Sequence, residues 1–243
     1  MELWQSVIRR DDVVLDVGAN VGAFTIPLAE MVGDAGVVHA FEPDPRNFQT
    51  IAAQTVLNSK LNVRLHQAAV GSVDGHFPMA QYATHRQLIN FGDRSLLLKR
   101  MMFDNEEQVN SRVMTIDSMQ LDRCDFVKLD IQGMEMAALV GMKATLERLH
   151  PFVFLENDTG DAETFLFLRD LGYICRWHVS RLFRPHNFNN ATKDVFGGSV
   201  SKNMICVAPT INMRHSVLFP EEHMPRVELD DSGAVVHSGP VLV

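Results

Sequence analysis

The heptapeptide Asp16-Val-Gly-Ala-Asn-Val-Gly22 follows a run of β-branched residues, Val13-Val-Leu-Asp-Val17, and precedes an amphipathic stretch. A glycine-rich turn between a buried strand and a helix aims backbone amides and the positive helix end at a ligand. Two ligand classes use such turns differently. Dinucleotide binding needs Gly-x-Gly-x-x-Gly so that a pyrophosphate can lie against the backbone, but here position 20 is Asn and the third glycine is missing. NAD and FAD are therefore disfavoured. The carboxylate of Asp16, at the end of the strand, suits a ligand with a cationic ammonium better than a pyrophosphate. Glu42 ends the next apolar run, where a carboxylate can accept hydrogen bonds from both ribose hydroxyls of a nucleoside. A nucleoside that also carries an amino-acid ammonium matches both features, and S-adenosylmethionine (SAM) is such a molecule.

Other residues could carry the remaining chemistry. Gln67, Ala68 and Ala69 close the third run at the same sheet edge, where small residues could flank an adenine ring; a plain strand end explains them equally. Asp130 ends the run Phe126-Val-Lys-Leu-Asp-Ile131, beside the crevice where open α/β sheets place ligands. It is the candidate catalytic residue, as a base removing a proton from a methyl acceptor; binding the cofactor's methionine end or capping the next helix are the alternatives, and Glu156 competes for the role. The acidic segment 156–163 reads more readily as a loop with Asp161 as a helix N-cap than as a metal site, and no metal is expected. Trp177, His178 and His186 lie in a stretch rich in aromatic and amide groups, the mixture that sugar or polyol recognition uses, although a structural histidine is the plainer reading.

These residues must be held by a scaffold, and the pattern supplies one. Short apolar runs alternate with longer amphipathic stretches from Asp12 onward, as in a parallel sheet covered by helices on both faces. Strands are expected at 13–17, 37–42, 63–70, 126–131 and 152–156, with closing strands within 173–183 and 205–208. Helices are expected at 24–31, with Pro27 in its first turn, and along Phe48, Ile51, Ala52, Thr55 and Val56. A third follows Gly133, with Leu139, Met142, Leu146 and Leu149 on one face, and a fourth covers 164–171, closed by Gly172. Segment 71–111 loses periodicity and reads as an irregular insertion with short antiparallel pieces that shapes the substrate side. One catalytic domain, 1–210, is expected, followed by a tail, 211–243, packed on the domain or on a partner.

Composition narrows the setting. The chain has 243 residues and a net charge of −8, from 22 basic against 30 acidic residues, with no basic run to track phosphates. Nucleic acid is disfavoured as a substrate. Cys124, Cys175 and Cys206 are odd in number and far apart, which suggests reduced thiols rather than a disulfide framework. The first residues carry no basic segment leading into an apolar one, and no run approaches a membrane span. A cytoplasmic protein with no membrane partner is the expectation, with a homo-oligomer as one option.

Several motifs together resemble the FkbM-type methyltransferases, SAM-dependent enzymes that mostly methylate hydroxyl groups of sugars, polyketides and other secondary metabolites. They are Val14-Leu-Asp-Val-Gly-Ala-Asn-Val-Gly-Ala-Phe-Thr25, Ala40-Phe-Glu-Pro43, Asn90-Phe-Gly92, Val127-Lys-Leu-Asp-Ile-Gln-Gly-Met-Glu135, and Trp177-His178 leading to Asn187-Phe188 and Asn203-Met204. Gln132 stands where many relatives carry Glu. The resemblance implies a Rossmann-like α/β fold with a seven-stranded, mostly parallel sheet. It implies that Asp16, Gly18, Asn20, Gly22 and Glu42 hold SAM, a set that Thr25, Gln67 and Ala68 extend. Asp130 and Glu135 are implied near the reaction centre, and Glu135, Glu156, Trp177 and His178 are taken as the substrate side. A small hydroxylated acceptor is the expected partner. The competing reading keeps the fold as a non-catalytic SAM-binding scaffold whose tail docks a partner.

Overall fold

In the computed structural model the chain is described at residues 2–81, 107–131, 133–157, 162–183, 190–208, 227–230 and 235–237. Expectations resting on Asn90, Gln132, Asp158, Asp161, His186, Asn187 and Phe188 fall outside those residues, as do the whole of the 82–106 segment and most of the tail.

The architecture is the expected α/β one. Strands β1 (Val13–Val17), β2 (Val37–Phe41), β3 (Val63–His66), β7 (Phe126–Leu129), β8 (Phe152–Glu156), β9 (Ile174–Arg181) and β10 (Val200–Val207) form one seven-stranded sheet in the order β3-β2-β1-β7-β8-β10-β9. Pairing is parallel from β3 through β2 and β1 to β7, and antiparallel between β10 and β9. A three-stranded sheet holds β4 (Ala69–Val70), β6 (Glu107–Met114) and β5 (Gly75–Gln81), and β11 (Val227–Leu229) pairs with β12 (Val235–His237). The short antiparallel pieces expected near 71–111 are β5 and β6, with Gly75 opposite Val113. The chain divides into two compact units, Met1–Val153 and Phe154–Val243.

Burial explains the central strands. Val14, Leu15, Asp16 and Val17 in β1 and all four residues of β7 are buried, as a strand covered on both faces requires. Helix α1 spans Glu2–Val7; α2 (Thr25–Val32) begins just after the glycine loop, with Pro27 in its first turn, where its missing N–H has no intrahelical partner. Helix α3 (Pro45–Leu57) starts on a strong signal: the Asp44 side chain accepts from the N–H groups of Arg46 and Asn47, and Pro45 presets φ. Ile51 of this helix clusters with Ala19 and Ala40, with Val63 and Leu65 packed against them.

Four expectations change in detail. The buried face of α3 is Asn47, Ile51 and Thr55, whereas Val56 is 74% exposed, because a residue one position on turns about 100° away from the core. The third run does not continue to Val70: the chain leaves the sheet after His66, turns through Gln67 and Ala68, and pairs again as β4 with β6. The helix after Gly133 is two helices, α4 (Glu135–Val140) and α5 (Lys143–Leu149). Asp117, from a short 3-10 turn, separates them, its carboxylate accepting from the N–H groups of Ala144 and Thr145 and from the Thr145 hydroxyl. Finally, the three thiols are not all free. Cys175 and Cys206 lie directly opposite each other on β9 and β10 with Cα atoms 4.1 Å apart and form a disulfide, leaving Cys124 free and buried. Antiparallel register brings together residues that sequence separation makes look unrelated. In the same unit α6 (Ala162–Asp170) follows β8, and Gly172 closes it with φ +86°.

Candidate active site

The glycine loop leaves β1 through three left-handed residues, Gly18 (φ +81°), Asn20 (φ +52°) and Gly22 (φ +89°). Gly18 is obligatory on two counts. Beyond its dihedral, an added Cβ would lie 1.9 Å from the Asp130 carbonyl oxygen. The loop is pinned to β2 by Gly18 and Ala19, whose N–H groups donate to the Phe41 carbonyl at 3.1 and 3.0 Å. Thus the ends of β1, β2 and β7 meet around one turn.

Glu42 is 7% exposed at the end of β2. Its carboxylate accepts from the Asn20 N–H at 2.9 Å and from the Asp44 N–H at 2.8 Å, tying the loop to the cap of α3. Burial pushes the carboxyl up to about 7, against the opposing pull of those two N–H groups. Burial outweighs hydrogen bonding there because the ionised form has lost its water. The Asn20 side-chain oxygen is buried with no hydrogen-bond partner among the described residues, an acceptor whose donor has to come from elsewhere. Next to Glu42, His39 and His66 stack with ring nitrogens 3.1 Å apart; burial lowers both, His39 to about 4, so the pair is neutral at pH 7.

Asp16 and Thr25 are fully buried. The Thr25 hydroxyl donates to Asp16 Oδ2 at 2.6 Å, and the Lys128 ammonium meets Oδ1 at 3.2 Å. Neither residue has surface with which to touch a ligand, so the expectation of direct contact is corrected: they hold the loop from behind. Gly22 is buried too, whereas Gly18 and Asn20 keep partial exposure. At the end of β3 Gln67 is exposed, while Ala68 is 1% exposed and offers no side chain.

Asp130 follows β7 with its side chain 36% exposed. Glu135, expected on the substrate side, is 8% exposed and folds back: its Oε1 accepts from the Ile131 N–H at 3.1 Å. Burial raises its carboxyl, the N–H groups of Glu135, Ile131 and Gly133 oppose this, and the Asp130 charge adds to it. Glu135 is therefore the clamp of the 130–135 turn that presents Asp130.

The residue that sequence reasoning passed over is Lys128. It is 2% exposed, donates to the Gly18 carbonyl at 2.8 Å, and lies 3.2 Å from Asp16 and 3.7 Å from Asp130. The signal was present: a lysine between Val127 and Leu129 in an otherwise apolar run is a lysine that must be buried with a partner.

The other candidates belong to the C-terminal unit. Glu156 ends β8. Trp177 is 7% exposed and opposite the fully buried Met204, so it is core. His178 is partly exposed, opposite Asn203, with its ring 5.9 Å from that of Phe154. Among the described residues no three His, Cys, Asp or Glu side chains are grouped as metal ligands, and no helix is long and apolar enough to cross a membrane.

Comparison with known proteins gives three results. The family described as "Methyltransferase FkbM domain" matches residues 16–175. The 31-O-demethyl-FK506 methyltransferase FkbM of Streptomyces tacrolimicus is 27% identical over 195 residues, covering 68% of this chain and 74% of that one. Among solved structures, precorrin 8w decarboxylase from Methanobacterium thermoautotrophicum shares the fold, with a TM-score of 0.51 at 15% identity, covering 85% of this chain and 87% of that one. Methyltransferase FkbM from Methylobacillus flagellatus matches with a TM-score of 0.46 at 18% identity over 83% of this chain, which spans 47% of that chain's length.

Proposed function

Because the chain belongs to the FkbM methyltransferase family, we propose that it transfers a methyl group from SAM to a hydroxyl of a small metabolite, such as a sugar or polyketide. The observation that carries the donor assignment is the pairing of Glu42 with the loop. A buried carboxylate raised to about 7 and an orphaned Asn20 oxygen await donors, and the ribose hydroxyls and ammonium of SAM supply them. The preference for oxygen rests on the curated relative, whose name specifies an O-linked methyl.

SAM supplies a methyl carbon activated by the sulfonium it leaves. The protein's tasks are alignment, exclusion of water and disposal of one proton. The Gly18–Gly22 backbone and Asn20 would hold the donor, Glu42 would accept from its ribose hydroxyls, and Gln67, exposed just after β3, is a further candidate for the cofactor side. Asp16 and Thr25 fix the loop from inside. Asp130, exposed at the end of β7, takes up the acceptor's hydroxyl proton, and its negative charge offsets the donor's cation. Glu135 holds the turn that presents it. Of the residues taken as acceptor-binding, Glu156 and His178 retain partial exposure.

Calorimetry with SAM and S-adenosylhomocysteine tests the donor half: micromolar Kd values that weaken at least tenfold in Glu42→Ala support it, and absence of heat in the parent overturns it. A methyl-donor assay across sugar nucleotides, polyols, macrolides and phenols, read as the mass gain of one methyl, tests the acceptor half. A product methylated on nitrogen or carbon would refute the O-methyl assignment.

A further inference from the structure

We propose that Lys128 is a positioning residue of the donor site: its ammonium clasps the Gly18 carbonyl and the Asp130 carboxylate together, so that the loop's shape and the charge at the end of β7 act on the donor as one unit. This rests on the reading of the loop as a SAM site.

The case begins with the burden of keeping Lys128 where it is. Every residue of β7 is buried, and Lys128 is 2% exposed. A buried Lys–Asp pair is a poor stability device, since well-packed apolar residues in its place are often neutral or better. Pairing with Asp16 alone is therefore a weak reason for its presence. The other contacts give a stronger one. Among the described residues three acceptor groups face this ammonium: the Gly18 carbonyl in a hydrogen bond at 2.8 Å, and Asp16 Oδ1 and Asp130 Oδ2 in ion pairs at 3.2 and 3.7 Å. The face of Phe24 lies beside it, with its ring centroid 5.5 Å away. Two of the three acceptors, Gly18 and Asp130, belong to the segments already in backbone contact, where no Cβ fits at Gly18. Lys128 thus bridges the same two segments by charge that Gly18 joins by shape. Asp130 keeps its other side exposed, so a carboxylate anchored from behind presents its charge outward in a fixed direction. The three ionised groups sum to one negative charge, complementary to SAM, whose sulfonium and ammonium outnumber its carboxylate by one, and not to the neutral product S-adenosylhomocysteine.

The test is a double-mutant cycle on ligand affinity, which needs no acceptor. Asp16→Asn with Lys128→Met removes the buried pair together, so that no lone charge is left inside, and it is made in the parent and in Asp130→Asn. Kd values for SAM and S-adenosylhomocysteine are measured by calorimetry, with thermal midpoints as a check on folding. The expected result is a tenfold or greater loss of SAM affinity in the parent background, a smaller loss for S-adenosylhomocysteine, and less than threefold loss of either in the Asp130→Asn background. Should the pair-deleted protein not fold, Lys128→Arg, which keeps a charge inside but moves its donors, supplies the same cycle. Equal losses in both backgrounds, or equal losses for the two ligands, would make Lys128 a staple of the fold and overturn the proposal. Failure of the parent to bind either ligand would instead remove the donor assignment beneath it.

Discussion

In the unit Met1–Val153 the buried polar side chains at the strand ends carry charge: Asp16, Glu42, Lys128 and Glu135. Among the described residues of Phe154–Val243 the buried polar side chains are neutral, Asn157, Thr164 and Asn203, alongside the sulfur atoms of Met204 and the Cys175–Cys206 disulfide. Asn157 illustrates the second style, donating from Nδ2 to the Thr164 hydroxyl at 3.3 Å and to the Met204 sulfur at 3.6 Å. Burying ions is expensive unless each is paired or used. The first unit bears that expense around a single turn, which is what a site for a cationic ligand demands. The second packs amides, hydroxyls and sulfur inside, where neutral groups can be satisfied by one another at less cost.

The sharpest way to break this contrast uses two glycines with nearly the same backbone. Gly18 (φ +81°) faces the Asp130 carbonyl, whereas Gly172 (φ +86°) has nothing within 4 Å of an added Cβ. Gly18→Ala is expected to cost about 3 kcal/mol or more and to abolish measurable SAM binding. In a thermal scan that is a fall of roughly 6 to 12 °C. If Gly18→Ala melts with the parent, the strand ends do not meet as described.

Next in size is the disulfide. Joining residues 31 apart in sequence, it stabilises the fold by about 3.7 kcal/mol at most in the chain-entropy view, and a reductant should lower the thermal midpoint accordingly. Thiol titration in denaturant without reductant should count one cysteine, Cys124; three would show that the pair is open in solution.

Smaller again is the effect of Glu42 on the ligand-free protein. Its folded carboxyl titrates near 7 rather than 4.5, so the fold holds that proton more tightly than the unfolded chain does. Its contribution to stability is greatest below pH 4.5 and is lost as pH rises through about 7. Glu42→Gln should therefore match the parent at pH 4.5 and be more stable at pH 8, by about 2 kcal/mol, although it binds SAM at least tenfold more weakly. Parallel stability profiles for the two proteins would contradict the burial cost. The smallest change belongs to Gly172→Ala, about 1 kcal/mol from the left-handed backbone alone and without effect on SAM affinity.

How much of this could be read from the sequence follows from which forces are local. Strands β1 and β8 run from Val13 to Val17 and from Phe152 to Glu156, as their largely apolar runs foretold. The loop and Glu42 were legible because glycine spacing and a strand-end carboxylate are sequence-local signals. The break between α4 and α5 was not, because Asp117, which makes it, lies far upstream of the helix it caps. The Cys175–Cys206 pairing was hidden for the same reason, being a matter of register. Asp16 was expected to face a ligand, but its carboxylate is fully buried against Lys128 and Thr25, a matter of packing that no local signal carries.

The raised carboxyl of Glu42 has one more consequence. At pH 6.5 the ligand-free site holds a substantial fraction of a proton on Glu42, whereas hydroxyls donated by a bound nucleoside favour the bare carboxylate. Loading the donor thus expels part of a proton into the surroundings. The heat of loading will carry the ionisation enthalpy of whichever buffer catches it, so a calorimetric trace in phosphate and one in Tris should differ for the parent and coincide for Glu42→Gln.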